Sequence, residues 1–493
     1  MTAVDRIVMC VFDGLRPDMI TPTLTPNLMR LAARATWFRE ARSVFPSMTR
    51  VATSSISTGA MPSTHGIVGN AFYFPQAIPE HVLDVSVIAD VKRAEAATGS
   101  RFLTATTFAD QLAKAGKRVA VVHTGSIGST YLINPRAKAN RHWTFSIFGG
   151  EATETPEAVT EVIAKFGPLP KRELPRFQET DYAARVMTEF VLPDAANDVA
   201  IVWFNEPDTS YHYKMLGAPE TLKVLAHVDA AFGRILDWVE RQPNADRIAV
   251  IAASDHGQIS SSELIPLPAL LTGAGHPTQH AKARDLAGAA ITYTGGNMGE
   301  IRILDGGTAR RDAIARWLAE QPYVGALFSP GRNDVEGQAP GSLSHAVVGL
   351  DHARQPDLVY VLRSSDDPDP YGLPGLCRIS GGGIPVGGGM HGGLNRHELN
   401  ATLMLSAPGV ETARIDARPT GIIDIAPTIL ALLGVPAAAG MTGANLLGPA
   451  LEMTTRTHTA GAGSFTHAVT VHRGGDRLIL DQGRHSSNSP RGI

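Results

Sequence analysis

Three aspartates in this 493-residue chain each follow a short apolar run, and two of them have a histidine at metal-ligand spacing. Residues 7–12 lead into Asp13, residues 199–204 lead to Asp208 with His212 four positions on, and residues 248–253 lead to Asp255 and His256. Carboxylate oxygens mixed with imidazole nitrogens suit a hard-to-borderline divalent cation, Zn²⁺ foremost or Mn²⁺, and not a thiolate-seeking one. The chemistry open to such a set is metal-assisted hydrolysis.

The elements that must position these residues follow from the same runs. Short apolar stretches of this kind read as buried parallel strands, and open α/β sheets bind ligands beyond the carboxyl ends of their strands, so five ligands converge on one rim. Strand-like runs alternate with amphipathic helical patterns, which predicts an α/β fold: a doubly wound, mostly parallel sheet with helices on both faces. Thr25-Pro26 opens one helix, and residues 107–115 form another ahead of a strand at 119–122. Between 220 and 241, Leu222, Val224, Leu225, Val228, Phe232 and Leu236 recur at helical spacing. The expected organisation is a core from 1–258, an inserted smaller α/β cap at 259–385 serving as lid or specificity wall, a return to the core at 386–450, and an extension at 451–493. That extension shows one hairpin around Gly474-Gly475 and a polar end, 486–493, expected to fray.

Composition bounds the function classes. With 43% hydrophobic and 18% charged residues the chain can bury a large core, which excludes a disordered or fibrous protein. A formal charge of −3 supplies no basic field, so a nucleic acid polymer is not an expected partner. Cys10 and Cys377 are the two cysteines, too few for a disulfide framework or a thiolate zinc site, and Cys10 reads as an ordinary core residue. There is no basic leader and no apolar run near the roughly 20 residues a membrane span needs, so a soluble cytoplasmic protein without a membrane partner is expected. A homodimer is compatible with these observations. Gly-x-Ser-x-Gly, a phosphate loop ending in Gly-Lys-Ser/Thr, and Gly-x-Gly-x-x-Gly after the first strand are all missing.

The segment Phe45-Pro46-Ser47-Met48-Thr49-Arg50, followed by Ser57-Thr58-Gly59 and then His65-Gly66-Ile67-Val68-Gly69-Asn70, resembles the nucleophile region of the alkaline phosphatase superfamily. The similarity is to its type I phosphodiesterase/nucleotide pyrophosphatase-like and phosphonoacetate hydrolase-like branches. Val11-Phe12-Asp13-Gly14, Asp208 with His212, Ser254-Asp255-His256-Gly257, Met390-His391-Gly392-Gly393 and Asp424-Ile425-Ala426-Pro427-Thr428 match in the same order. The resemblance implies two divalent metal ions, one held by Asp208, His212 and His391, the other by Asp13, Asp255, His256 and the Thr49 oxygen. It further implies that Thr49 attacks phosphorus to form a phosphothreonine that is then hydrolysed, and that Asn70 donates to a phosphoryl oxygen. A threonine hydroxyl needs such activation, which a dication supplies without a neighbouring base. Arg50 adds either a charged substrate contact or half of a surface ion pair. A helix over 51–57 would aim its N-terminus at the phosphoryl group.

Two departures bear on the substrate. The pyrophosphatase pattern has its threonine just before Phe-Pro-Asn, where this chain has Val44; the ungapped phosphonoacetate hydrolase pattern places Thr49 on the nucleophile. Phosphonoacetate hydrolases carry two basic residues where this chain reads His123-Thr124-Gly125-Ser126. Their absence favours a small-molecule phosphodiester or pyrophosphate over a phosphomonoester or phosphonate. Asp351-His352 repeats the Asp-His pair but lacks a preceding strand and is left out of the metal set, and His65 reads as a loop buttress.

Overall fold

The structure is a computed structural model and describes residues 4–280, 282–381 and 383–485, so the end expected to fray lies outside the described residues. The central sheet has eight strands: β1 (Arg6–Phe12), β2 (Thr36–Phe38), β3 (Val119–His123), β4 (Trp143–Ser146), β5 (Val199–Phe204), β6 (Ile248–Ala253), β7 (Leu403–Ser406) and β8 (Arg414–Asp416). Their order is β8-β2-β7-β6-β1-β5-β3-β4, and β7 alone runs against its neighbours. The mostly parallel α/β sheet is therefore as expected.

The continuous apolar runs are explained by burial on both faces. Along β1, Ile7, Met9 and Val11 enter one hydrophobic core while Val8, Cys10 and Phe12 enter the other. Helix α1 (Thr49–Thr58) lies on the first side, and α3 (Pro219–Glu240), which follows the short α2 (Asp208–Tyr213), lies on the second. Phe232 of α3 meets Phe12 edge-on at 5.4 Å between ring centres.

Helix α1 begins at Thr49 itself, two residues before the expected start, and ends at Gly59. Its sequence looks too polar for a buried helix, yet Val51 through Thr58 are all buried. The hydroxyls of Thr53, Ser54 and Thr58 each donate to the carbonyl four residues back, at 2.6, 2.9 and 2.6 Å, so their polarity is satisfied inside the helix. Gly59 sits at φ 62°, and a Cβ there would lie 3.0 Å from the Pro427 ring, so glycine is the residue that can close this helix.

Between 264 and 364 the chain builds a six-stranded sheet ordered Thr278–His280, Ile291–Tyr293, Met298–Ile303, Leu358–Leu362, Val324–Ser329, Leu343–Ser344, with the helix Gly307–Ala319 packed on it over its own core. A four-stranded sheet, which includes Ile259–Leu264 and Gly389–Met390, delivers His391 to the central site. The expected hairpin around Gly474-Gly475 joins Phe465–Gly474 to Arg477–His485, and Thr454–Ala462, which was not expected, adds a third antiparallel strand. That third strand is an exposed, threonine-rich edge whose polarity conceals it. Arg477 anchors this sheet to the core through the buried carboxylate of Asp424 at 2.5 Å. Among the described residues no helix is long and apolar enough to cross a membrane.

Candidate metal centre

Strand register brings the three acidic loops together. β1 is flanked by β5 and β6 with Phe12 opposite Phe204 and Val11 opposite Ala253, so Asp13, Asp208 and Asp255 all emerge beyond adjacent carboxyl ends. The Asp13 carbonyl accepts from the Asp208 backbone N–H at 3.0 Å, locking the first two loops. Asp208, His212 and His391 lie close enough to hold one ion, and Asp13, Asp208 and His256 form a second such group. Asp255 joins the latter, with its Oδ2 3.2 Å from His256 Nε2.

Each imidazole is oriented by the main chain. The Nδ1 atoms of His212, His256 and His391 lie 2.8, 3.0 and 2.7 Å from the carbonyls of Gly389, Gly257 and Ser47. A carbonyl can only accept, so each Nδ1 carries a proton and each Nε2 is the atom turned to the carboxylates, the orientation a metal ligand needs. His212 Nε2 is 3.4 Å from Asp208 Oδ2, and His391 Nε2 is 3.5 Å from Asp208 Oδ1. Burial lowers the pKa of both His256 and His391 to about 4, leaving them neutral and ready to ligate at pH 7.

The carboxylates show why a cation fits. Asp13 and Asp255 are buried, and desolvation, reinforced for each by neighbouring carboxylate charge, raises their pKa values. Burial also opposes the charge of Asp208, but the adjacent His212, whose own pKa that carboxylate raises, outweighs it and holds the Asp208 carboxyl below the usual range. Asp13 Oδ2 accepts from the Trp203 indole N–H at 3.0 Å, and Asp255 Oδ1 accepts from the N–H groups of Gly14 and His256, both at 3.1 Å. Their other oxygens, Asp13 Oδ1 and Asp255 Oδ2, are buried with no hydrogen-bond partner. Orphaned carboxylate oxygens beside a lone pair on His256 are costly without a positive charge, and two dications would balance the three carboxylates.

The phosphoryl-binding candidates meet the same centre. Thr49 heads α1 with its hydroxyl 3.3 Å from His256 Nε2. Asn70 accepts the Arg50 backbone N–H through Oδ1 at 3.2 Å, which leaves its amide N–H₂ free to donate into the cleft it lines. Of the two roles open to Arg50, the surface ion pair is not what forms: among the described residues the guanidinium has no ion-pair partner, and its buried Nε has no hydrogen bond. Burial lowers its pKa, countered first by the charge of Asp84. The cleft, about 510 Å³, is walled on one side by Met48, Arg50 and Asn70 and on the other by Thr294, Met298 and Glu300 of the six-stranded unit.

Several residues here were not foreseen. Gln258 is buried, and its side-chain amide donates to Asp208 Oδ1. Gly14, at φ +73°, and Gly389 leave room for that amide; a Cβ at Gly389 would sit 2.2 Å from Gln258 Oε1. The one signal available was its position two residues after His256. Trp203 was hidden as one more apolar residue in β5. The stretch 123–126 stays outside the cleft: His123 is fully buried, stacked on Trp203 at 5.1 Å, and burial lowers its pKa to about 3. His65 is the expected buttress, bonded to Ser55 Oγ at 2.9 Å and to the Ile67 N–H at 3.2 Å.

The family model for type I phosphodiesterase / nucleotide pyrophosphatase matches residues 7–350. Human ectonucleotide pyrophosphatase/phosphodiesterase family member 7 is 24% identical over 257 residues, 51% of this chain and 48% of the relative. An uncharacterised pyrophosphatase/phosphodiesterase of Schizosaccharomyces pombe is 38% identical over 69 residues, 14% of each chain. The match thus spans at most about half the length of these curated relatives. Among solved structures, murine ectonucleotide pyrophosphatase/phosphodiesterase 5, in an inactive threonine-to-alanine form in complex with AMP, overlays with a TM-score of 0.61 at 17% identity, covering 88% of this chain and 96% of that one. The same protein without that substitution overlays equally, at 16% identity.

Proposed function

The chain belongs to the type I phosphodiesterase/nucleotide pyrophosphatase family, and from that premise we propose that it hydrolyses phosphodiester or pyrophosphate bonds of small molecules, with Thr49 as nucleophile. The observation that carries this reading is the Thr49 hydroxyl at the head of α1, 3.3 Å from an imidazole of the acidic cluster, on a residue whose two chain neighbours, Met48 and Arg50, line the cleft. That the murine relative is inactive as a threonine-to-alanine form supports giving a threonine this role.

Asp208, His212 and His391 would hold one divalent ion, and Asp13, Asp255 and His256 with the Thr49 oxygen the other. When bound, the ions supply charge neutralisation at the phosphoryl group and lower the pKa of the attacking hydroxyl. Everything else falls to the chain. Helix α1 directs its N-terminal dipole at the anion, and the Asn70 amide donates to a non-bridging oxygen. The Thr49 oxygen loses its proton and bonds to phosphorus as the ester oxygen departs, and water then cleaves the phosphothreonine. The neutral, buried stretch 123–126 offers no second positive pair, which favours the singly charged diester. The unpartnered Arg50 guanidinium is the observation on the other side, since it can meet the extra charge of a phosphomonoester or phosphonate.

An assay of zinc- and manganese-loaded protein on an aryl phosphodiester, an aryl phosphomonoester and phosphonoacetate separates these. The diester is expected to be turned over fastest, with activity lost on chelation and restored by adding metal. Preference for the monoester or phosphonoacetate would transfer the role of substrate-charge reader to Arg50 and overturn the diester reading. Asn70→Ala is expected to lower kcat by about 10²- to 10³-fold, the scale for one lost oxyanion donor, with metal content unchanged; a loss confined to KM would show that Asn70 binds ground state and transition state alike.

A further inference from the structure

The cleft above Thr49 has a composition that narrows the substrate class within the reading just given, on which this inference rests. Its apolar lining comes from Pro46, Met48 and Val68 on the core side and Met298, Ile384 and Met390 on the other. Three methionines in one cleft make a soft, polarizable, adaptable wall. No Phe, Tyr or Trp is among the described residues lining it. The imidazoles that do line it are committed elsewhere: His212 and His391 belong to the acidic cluster, and His280 accepts the Lys282 N–H at 3.0 Å while standing edge-on to Tyr293. Of the two carboxylates at its rim, Asp84 accepts from the Ser86 N–H and hydroxyl at 2.8 and 2.6 Å, and Glu300 accepts from Arg302 at 3.3 Å through Oε2 while its Oε1 has no hydrogen-bond partner.

A nucleobase is held by stacking on an aromatic or guanidinium face and by hydrogen bonds to its edges. Arg50, the one guanidinium among the described residues lining the cleft, is drawn toward the charges of Asp84, Asp13 and Asp208, and the rest of the wall presents flexible aliphatic and thioether surface in place of an aromatic platform, at a volume of about 510 Å³ that suits a small-molecule site. We infer that the ester arm seated here is aliphatic, and that the preferred substrates are phosphodiesters carrying an alkyl chain and not a nucleoside.

The test uses the metal-loaded, full-length protein and a series of p-nitrophenyl alkyl phosphates, methyl through octyl, beside the p-nitrophenyl ester of thymidine 5′-phosphate, so that the leaving group stays constant. kcat/KM is expected to climb about two- to fourfold per methylene, the upper figure being full burial of each CH₂, until the cleft is filled, and the octyl ester to exceed the thymidine ester. A flat series, or a thymidine ester ahead of the octyl one, overturns the inference while turnover of the methyl ester leaves the diesterase reading intact. No turnover of any diester overturns both. Ile384→Ser, on a half-buried loop position, is expected to flatten the chain-length slope by raising KM for the long esters; an equal loss on methyl and octyl esters would mean that Ile384 is structural and that the apolar wall does not read the chain.

Discussion

Thr49→Ala is expected to reduce kcat by roughly 10⁴-fold or more, the scale seen when a covalent nucleophile is removed and only the surrounding stabilisation remains. The expectation rests on placement: the hydroxyl sits at the first residue of α1, half-buried and beside His256, between two residues that line the cleft. The side chain makes no capping bond for its helix, so the alanine variant should fold and melt like the parent. The measurement pairs single-turnover kinetics with metal analysis and thermal unfolding. Loss of turnover with both ions retained and the fold intact supports the assignment; activity within tenfold of the parent removes Thr49 from the mechanism.

The second large effect belongs to Asp208. It is assigned to one ion, yet its carboxylate also lies among the ligand atoms grouped around the other, and its two oxygens face different imidazoles, Oδ2 toward His212 and Oδ1 toward His391. Asp208→Asn keeps the shape but removes the charge from both groups at once. Metal affinity should fall at both sites, by more than the roughly 10- to 100-fold that follows loss of an outer-shell partner, and hydrolysis should be lost. His391→Ala touches one group and should empty one site while leaving the other filled. Metal stoichiometry after dialysis distinguishes them: an Asp208→Asn protein that keeps both ions would show that the carboxylate charge is needed at neither site.

Much of this centre was legible because its chemistry is tied to strand ends. Asp13, Asp208 and Asp255 could be read as neighbours once their preceding runs were read as parallel strands, since parallel register places consecutive carboxyl ends side by side. The start of α1 was less legible, because Thr53, Ser54 and Thr58 satisfy their own hydroxyls within the helix and so mimic loop composition. Gln258 and Trp203 escaped for a different reason. A glutamine after a loop motif and a tryptophan in an apolar run carry no periodic signal; only the register of β5 against β1 shows that the Trp203 N–H reaches Asp13. The edge strand Thr454–Ala462 was hidden by its exposure, since no apolar face marks it. The far wall of the cleft is built by residues such as Met298 and Ile384, whose role depends on how one sheet stands over another.

The three imidazoles of the centre hang from backbone carbonyls at Ser47, Gly257 and Gly389 and not from neighbouring side chains. Their aim is accordingly a property of the path of the chain. The oxygens used are backbone ones, so what these positions require is room and not a side chain: a Cβ at Gly257 or Gly389 would lie 2.3 Å from the His397 carbonyl or 2.2 Å from Gln258 Oε1 and push the main chain aside. A scaffold that keeps its trace at these points can exchange many letters elsewhere without losing the aim of the rings.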